Sequence, residues 1–182
     1  MFDRLEGERI VLRKAQEKDL KPIWKNVWSD GTIASNTLWQ VTTDLEAAKE
    51  RLERTISYQS NNPAYFVVLK DTDEPIGFGG VRPEGEGVYS ESGLCIAPKW
   101  QHMGYGREMM LLLMDLVFEK LNADRFIYSC FSTNAASRGL CTSLGFTYLS
   151  SSPEIREHDG FIYINDSYFL DRDEYRQKWG GK

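Results

Sequence analysis

The chain has few of the residues that build disulfide frameworks, metal centres or membrane spans. It contains only two histidines and three cysteines, and an odd number of cysteines without C-x-x-C spacing predicts reduced thiols. The most apolar run, Met109–Met114 continuing to Phe118, is interrupted by Asp115 and is well short of the ~20 residues that cross a bilayer. The first residues, 1–4, lack the apolar core of a signal peptide. We therefore expect a cytoplasmic protein with no metal site and no membrane association.

Basic residues are also fewer than acidic residues. The 22 lysines and arginines are outnumbered by 27 aspartates and glutamates, which gives a net charge of -5. Nucleic-acid binding requires a basic face, so this balance argues against nucleic acid as the partner and suits a cationic amine slightly better. A chain of this length is expected to form one domain, residues 1–182, that buries roughly two-thirds of its unfolded surface.

The hydrophobic pattern shifts between strand and helix periods along the chain. It predicts strands at 10–13, 64–70, 76–82, 88–97, 125–131, 146–150 and 161–170. It predicts helices at 19–28 capped by Asp19, at 43–58 from a Thr43-x-x-Glu46 capping box, at 106–121 and at 134–144, with a last helical turn at 174–179. Segment 29–42 is predicted to be a long loop and 151–160 a mobile charged connection. This order predicts an α/β (α+β) fold: a mixed, mostly antiparallel twisted sheet of about six to seven strands with helices on both faces.

The most informative segment is Glu91–Gly106, which reads ESGLCIAPKWQHMGYG. A predicted strand stops at Pro98 and runs into Gln101-x-x-Gly104-x-Gly106, and an apolar helix follows at once. This order brings free backbone N–H groups and the positive end of a helix dipole together, which suits a phosphate. A P-loop would need lysine where Arg107 stands, and a Rossmann turn would need a third glycine where Met109 stands.

The segment resembles instead the acetyl-CoA pyrophosphate loop of the GNAT superfamily of N-acetyltransferases. A second segment, Asn134–Phe146, is similar to the GNAT pattern N-x-x-S-x-x-L-x-x-x-L-G-F. The opening segment, Arg4–Lys14, is similar to that of the RimJ/RimL-like branch, named for enzymes that acetylate the N-terminal amine of ribosomal proteins. The resemblance covers the chain from about Leu5 to about Leu170. It implies a GNAT fold in a single N-acetyltransferase domain, acetyl-CoA as the acetyl donor, and a monomer or homodimer.

The motif and the resemblance together predict the residues that bind acetyl-CoA. Backbone N–H groups around 103–107 are expected to hold the pyrophosphate, because glycine leaves no Cβ in the way. By resemblance, the main chain of 95–97 pairs with the pantetheine arm, and one of its N–H groups polarises the thioester carbonyl. His102 either touches phosphate or is a solvated loop residue, and Asn134 either caps its helix or hydrogen-bonds the cofactor. The predicted set is Cys95, Ile96, Ala97, Gln101, His102, Met103, Gly104, Tyr105, Gly106, Arg107, Asn134 and Arg138.

Three residues are candidates for the transfer chemistry. Glu91 stands at the family's position for a general base, and a carboxylate there could relay a proton from an ammonium of pKa about 10 or simply anchor it. A solvated strand glutamate is the alternative. Many GNAT enzymes place a tyrosine where this chain has Cys141. Ser137 shares a helix face with Cys141. The resemblance to the RimJ/RimL-like branch, whose members carry the serine instead of the tyrosine, makes Ser137 the first choice to serve the departing thiolate and Cys141 the second, with a core position as the alternative for Cys141.

These residues predict an acetyl-CoA-dependent N-acetyltransferase that works by direct transfer to a primary amine in a ternary complex. The acceptor is a protein N-terminal α-amine, as the branch name suggests, or a small molecule such as a polyamine or an aminoglycoside. Trp28, Trp39, Tyr163 and Tyr168 are candidates to line its pocket or, alternatively, core residues. The alternative function is a regulatory module that binds acetyl-CoA without transferring the acetyl group.

Overall fold

The computed structural model describes residues 2–180 and contains one eight-stranded sheet. The strands are β1 (Arg4–Glu6), β2 (Ile10–Arg13), β3 (Ala64–Leu69), β4 (Pro75–Gly85), β5 (Val88–Ile96), β6 (Arg125–Phe131), β7 (Thr147–Ile155) and β8 (Ile162–Asp171). The helices are α1 (Leu20–Ile23), α2 (Gly31–Ser35), α3 (Leu45–Asn61), α4 (Tyr105–Asp115), α5 (Ala135–Leu144) and α6 (Arg172–Trp179). The strand order is β1-β2-β3-β4-β5-β6-β8-β7, and β5 runs parallel to β6 whereas β1–β2, β2–β3, β3–β4, β6–β8 and β7–β8 are antiparallel. The predicted α/β fold with a mostly antiparallel sheet is confirmed, with eight strands instead of six or seven.

The chain divides into two compact units. The first combines the residues up to Val81 with Ser92–Leu113, and the second combines Arg82–Glu91 with the residues from Met114 onwards. The division passes through β4, β5 and α4. The assignment of residues 1–182 to a single domain stays a prediction.

A buried ion pair organises the beginning of the helical segment in the first unit. Arg13 donates two hydrogen bonds to Asp19, at 2.7 and 2.8 Å, and both residues are buried. The Asp19 carboxylate also accepts a hydrogen bond from the Gln16 N–H at 2.8 Å. Asp19 stands at the N-cap position of α1, as predicted, but its side chain accepts no cap hydrogen bond from that helix. The carboxylate is held by the buried guanidinium instead.

The connection from α1 to α3 is more helical than the sequence predicted. The chain continues from α1 as a five-residue π-helical segment, Trp24–Trp28. The segment predicted as a loop contains α2, which Asp30 caps by accepting hydrogen bonds from the Thr32 and Ile33 N–H groups. Helix α3 is capped by Asp44, one residue after the predicted Thr43. Trp28 is fully buried and packs edge-on against Phe66, with ring centroids 5.9 Å apart.

The second unit has an aromatic core. The ring of Phe126 lies 6.5 Å from Phe118 and 5.7 Å from Phe146, and Phe118 stacks on Tyr175 at 4.7 Å. Helix α5 ends before Gly145, whose φ of 105° confirms the predicted C′ glycine. Strand β7 pairs with β8 as far as Ile155, so the prediction of a mobile stretch is wrong for 151–155.

No membrane span and no metal cluster is found within residues 2–180. No helix there combines the length and the apolar character needed to cross a bilayer. No group of three or more His, Cys, Asp and Glu side chains in the same range is placed to hold a metal ion. The three cysteines are free thiols, of which Cys95 and Cys141 are buried.

Candidate functional site

Strand β5 carries predicted site residues along its whole length. Its parallel pairing with β6 covers only its first three residues, 88–90, opposite 125–127. Gly93 then adopts a φ of 109°, a backbone conformation that strongly favours glycine and marks an irregularity in the strand. The sequence placed the loss of pairing at Pro98, but the parallel register already ends at Ser90.

The backbone at the end of β5 is partly committed to other hydrogen bonds within the first unit. The Ala97 N–H donates to the Ile76 carbonyl at 2.8 Å. The Ile96 carbonyl accepts from Gln101 Nε2 at 2.8 Å, so Gln101 ties the strand to the glycine turn that follows. Successive strand residues direct their N–H groups to opposite edges, so the Ile96 N–H points away from β4. Within segment 95–97, it is the best placed to polarise a carbonyl.

The turn between β5 and α4 has the backbone that the motif predicts. His102 and Gly104 have φ values of 61° and 87°, and α4 begins at Tyr105. A Cβ on Gly104 would lie 3.1 Å from Nη2 of Arg9. Because the first N–H groups of a helix lack intrahelical partners, the start of α4 offers donors to an anion. The turn therefore fits the diphosphate that the motif implies.

Arg9 brings a positive charge to this turn, which the sequence analysis did not identify. Its Nη1 donates to the Met103 carbonyl at 2.9 Å, and its guanidinium carbon lies 4.5 Å from the centroid of the Tyr105 ring. Its Nε pairs with Glu108 at 3.1 Å, and the same carboxylate accepts the N–H groups of Arg9 and Ile10 at 2.7 and 3.1 Å. Glu108 thus fixes the β1–β2 turn against α4. Arg9 and Met103 are 94 positions apart, so no local pattern could link them.

Two predicted catalytic residues lie on α5 in the second unit. Asn134 caps this helix by accepting the Ser137 N–H at 3.1 Å, so of its two predicted roles the capping one is observed. Ser137 is half-buried, and its side chain hydrogen-bonds Tyr128. Cys141 is fully buried, its thiol donates to the Arg138 carbonyl at 3.3 Å, and burial raises the pKa of this thiol to about 11. Cys141 therefore occupies a buried position in the core of the second unit.

Tyr128 is a further polar group beside these residues and was not predicted. It lies on β6 and is buried, and burial raises the pKa of its phenol whereas the hydrogen bond with Ser137 lowers it. The negative charge of Glu91 adds to the raised pKa of both Tyr128 and Cys130. Glu91 and Ser137 therefore both act on Tyr128 within the second unit.

The remaining predicted residues are distributed over both units. Arg138 donates to the Tyr168 hydroxyl at 3.3 Å and lies 3.6 Å from Asp166. Tyr163 and Tyr168 are buried, and Tyr163 stacks on Phe131 with centroids 4.1 Å apart, as core residues do. Trp28 and Trp39 belong to the first unit, where both flank Arg51.

A strand leads through a glycine turn into an apolar helix on a mixed sheet, which is the arrangement that the GNAT resemblance implies. The family model described as acetyltransferase (GNAT) domain matches residues 9–147, and the chain belongs to that family.

Solved structures share the fold. A GNAT-family acetyltransferase from Bacillus anthracis superposes with a TM-score of 0.82 at 20% identity, covering 94% of this chain and 99% of that one. A GCN5-related N-acetyltransferase from Brucella melitensis gives 0.82 at 16% identity, with 96% and 81% covered. A ribosomal-protein-S5-alanine acetyltransferase from Vibrio fischeri gives 0.75 at 18% identity, with 94% and 98% covered. A search of curated proteins returned no significant match.

Proposed function

We propose that the protein is a cytoplasmic, acetyl-CoA-dependent N-acetyltransferase of the RimJ/RimL-like branch. It transfers the acetyl group directly to a primary amine, either a protein N-terminal α-amine or a small-molecule amine, within a ternary complex. The observation that carries this proposal is the glycine turn 101–106, with a positive φ at Gly104 and the guanidinium of Arg9 beside it. The fold likeness to the Vibrio fischeri enzyme is compatible with the branch and does not identify the acceptor.

The residues of the first unit would hold the coenzyme. Backbone N–H groups at 103–107 bind the pyrophosphate, and Arg9 contributes a positive charge beside them. The Ile96 N–H is directed away from β4 and polarises the acyl carbonyl. When bound, acetyl-CoA supplies a thioester whose carbonyl carbon is open to attack by an amine.

The residues of the second unit would handle the protons. During transfer the amine nitrogen bonds to the acyl carbon, the carbon–sulfur bond breaks, the amine loses one proton and the sulfur gains one. Glu91 accepts the amine proton directly or through water, or it anchors the ammonium before the ammonium loses its proton. The Ser137 hydroxyl gives its proton to the sulfur and is reprotonated by water, or it hydrogen-bonds the thiolate until water protonates it. Tyr128 positions that hydroxyl through their hydrogen bond.

The test is the release of free thiol from acetyl-CoA in the presence of a panel of amines that includes N-terminal peptides, polyamines and aminoglycosides. Thiol release that depends on the amine, with the acetylated product identified by mass spectrometry, supports the proposal. Calorimetric binding of acetyl-CoA without amine-dependent release would favour the regulatory module, which the family match does not favour. Absence of both would refute each function.

A further inference from the structure

Arg51 on α3 is a partly buried cation that has no carboxylate partner within residues 2–180. Other arginines with little-exposed side chains form ion pairs: Arg13 with Asp19, Arg156 with Asp159 and Arg172 with Asp124. Desolvation, followed by the like charge of Arg54, lowers the pKa of Arg51 to about 10. A charge withdrawn from water without an anion destabilises the protein, so the position calls for an explanation.

The Arg51 side chain is held in one orientation. Its guanidinium carbon lies 4.7 Å from the ring centroid of Trp28 and 4.4 Å from that of Trp39. Its Nη1 donates to Thr42 Oγ1 at 2.9 Å, with the Gln40 carbonyl at 3.5 Å. The Thr42 N–H in turn donates to the Trp28 carbonyl at 2.8 Å. The guanidinium is therefore preorganised, and its Nε and Nη2 make no hydrogen bond to any described residue.

Trp39 supplies a second and independent observation. Its indole Nε1 is buried and has no hydrogen-bond partner among residues 2–180. A buried donor without an acceptor costs about 1–3 kcal/mol. The indole N–H and the guanidinium both lack the same kind of partner, an oxygen that accepts hydrogen bonds. A ligand group that carries such oxygens would satisfy each donor that it reaches.

The charge of Arg51 acts on Cys95, which lies in the segment predicted to take the pantetheine arm. The positive charge of Arg51 opposes the raised pKa of the Cys95 thiol, which burial chiefly causes, so the two side chains are close enough to interact. Asp30 also acts on Cys95, but its Oδ1 is occupied by the Thr32 and Ile33 N–H groups. Within residues 2–180, no carboxylate forms an ion pair with Arg51, so an anion from outside these residues can pair with it.

We propose that Arg51 and Trp39 bind a carboxylate of the acceptor. The acceptor is then a primary amine that also carries a carboxylate, as in a free amino acid or a peptide with an acidic residue next to its N-terminus. A planar carboxylate matches the two free guanidinium donors in a bidentate pair, and the indole N–H adds a third hydrogen bond. This proposal rests on the acetyltransferase function proposed above. It disfavours polyamines and aminoglycosides, which have no carboxylate.

The experiment compares acceptors that differ only in the carboxylate. Free amino acids are paired with their amides, and dipeptides with aspartate in second position are paired with the asparagine forms, each at a pH that gives equal fractions of free amine. Thiol release gives kcat and KM. Quenching of tryptophan fluorescence, recorded with coenzyme A present, reports binding without transfer because Trp28 and Trp39 flank Arg51. A preference within the amino-acid pairs would identify the α-carboxylate of a free amino acid as the group bound. A preference within the dipeptide pairs would identify the side chain of an acidic second residue.

We expect the carboxylate member to be preferred at least tenfold in kcat/KM. Arg51→Gln should abolish that preference through KM, and Trp39→Phe, which keeps a ring and loses the N–H, should weaken it severalfold. Arg54→Gln is the matched control, because Arg54 lies on the same helix with its side chain 71% exposed. It removes the same charge and should keep the preference. Affinity for acetyl-CoA should be unchanged in all three variants.

Equal kcat/KM for both members of every pair would overturn the proposal. So would an Arg51→Gln variant that loses activity equally toward both members. If Arg51→Gln does not fold, the proposal is tested by the carboxylate preference of the wild type and by its reduction in Trp39→Phe. A wild-type preference that Trp39→Phe leaves unchanged would then count against the site. Carboxylate-dependent quenching without any thiol release would support the carboxylate site and refute the transferase function. Absence of quenching and of carboxylate preference refutes the site, whether or not amines are acetylated.

Discussion

Gly104→Ala separates the backbone requirement of the phosphate turn from the stability of the fold. Gly104 has a φ of 87°, in the region that non-glycine residues enter at a cost of about 1–2 kcal/mol. Its new Cβ would also lie 3.1 Å from Nη2 of Arg9, and this flexible guanidinium must move by a few tenths of an ångström. For a chain of this size we expect the melting temperature of the ligand-free variant to fall by about 2–8 °C.

The same substitution should weaken the binding of acetyl-CoA. If the turn holds the pyrophosphate, a methyl group against the phosphate and a displaced Arg9 should reduce affinity at least tenfold, or about 1.4 kcal/mol. Isothermal titration calorimetry of the folded variant measures this directly. Gly85→Ala is the control, because a Cβ there meets nothing within 4 Å and its φ is not positive. A Gly104→Ala variant that melts lower but binds acetyl-CoA like the wild type would refute the assignment of this turn.

The remaining predictions concern the proton-handling residues and the thiols. Glu91→Gln should reduce the transfer rate most at neutral pH and less at high pH, where the free amine forms without a base. A loss that does not depend on pH would indicate that Glu91 anchors the substrate. No loss of rate would indicate that Glu91 is a solvated strand residue. Ser137→Ala should lower kcat at unchanged acetyl-CoA affinity, whereas Cys141→Ala should affect mainly stability through a small cavity; the reverse pattern in kcat would make the thiol the proton donor. Burial raises the pKa of Cys95 to about 12 and that of Cys141 to about 11, so both should resist alkylation by iodoacetamide at pH 8 until the protein is unfolded, as read by intact mass. Because these thiols ionise near pH 8.5 only in the unfolded chain, the stability that they contribute is present below that pH and is lost as the pH rises toward 11–12; a melting temperature that stays flat over this interval would contradict the shifts.

Features that depend on neighbouring residues could be predicted from the sequence. Strand β6 has the predicted bounds. Helix α5 has its predicted asparagine cap and C′ glycine, because helix ends depend on hydrogen bonds to backbone groups only a few positions away. The glycine turn belongs to the same class, since its donors and its positive φ come from consecutive residues. Two such motifs in the right order were sufficient to identify the family.

Features that join distant positions were decided by the tertiary structure. Three contacts depend on how the strands and helices pack. They are the approach of Arg9 to the phosphate turn, the ion pair of Arg13 with Asp19, and the hydrogen bond between Ser137 and Tyr128. The enclosure of Arg51 by Trp28 and Trp39 has the same origin. The sequence shows only that an arginine and two tryptophans are present at these positions. Whether such a side chain is desolvated, and whether its donors have partners, is determined by contacts that form only when the chain is folded.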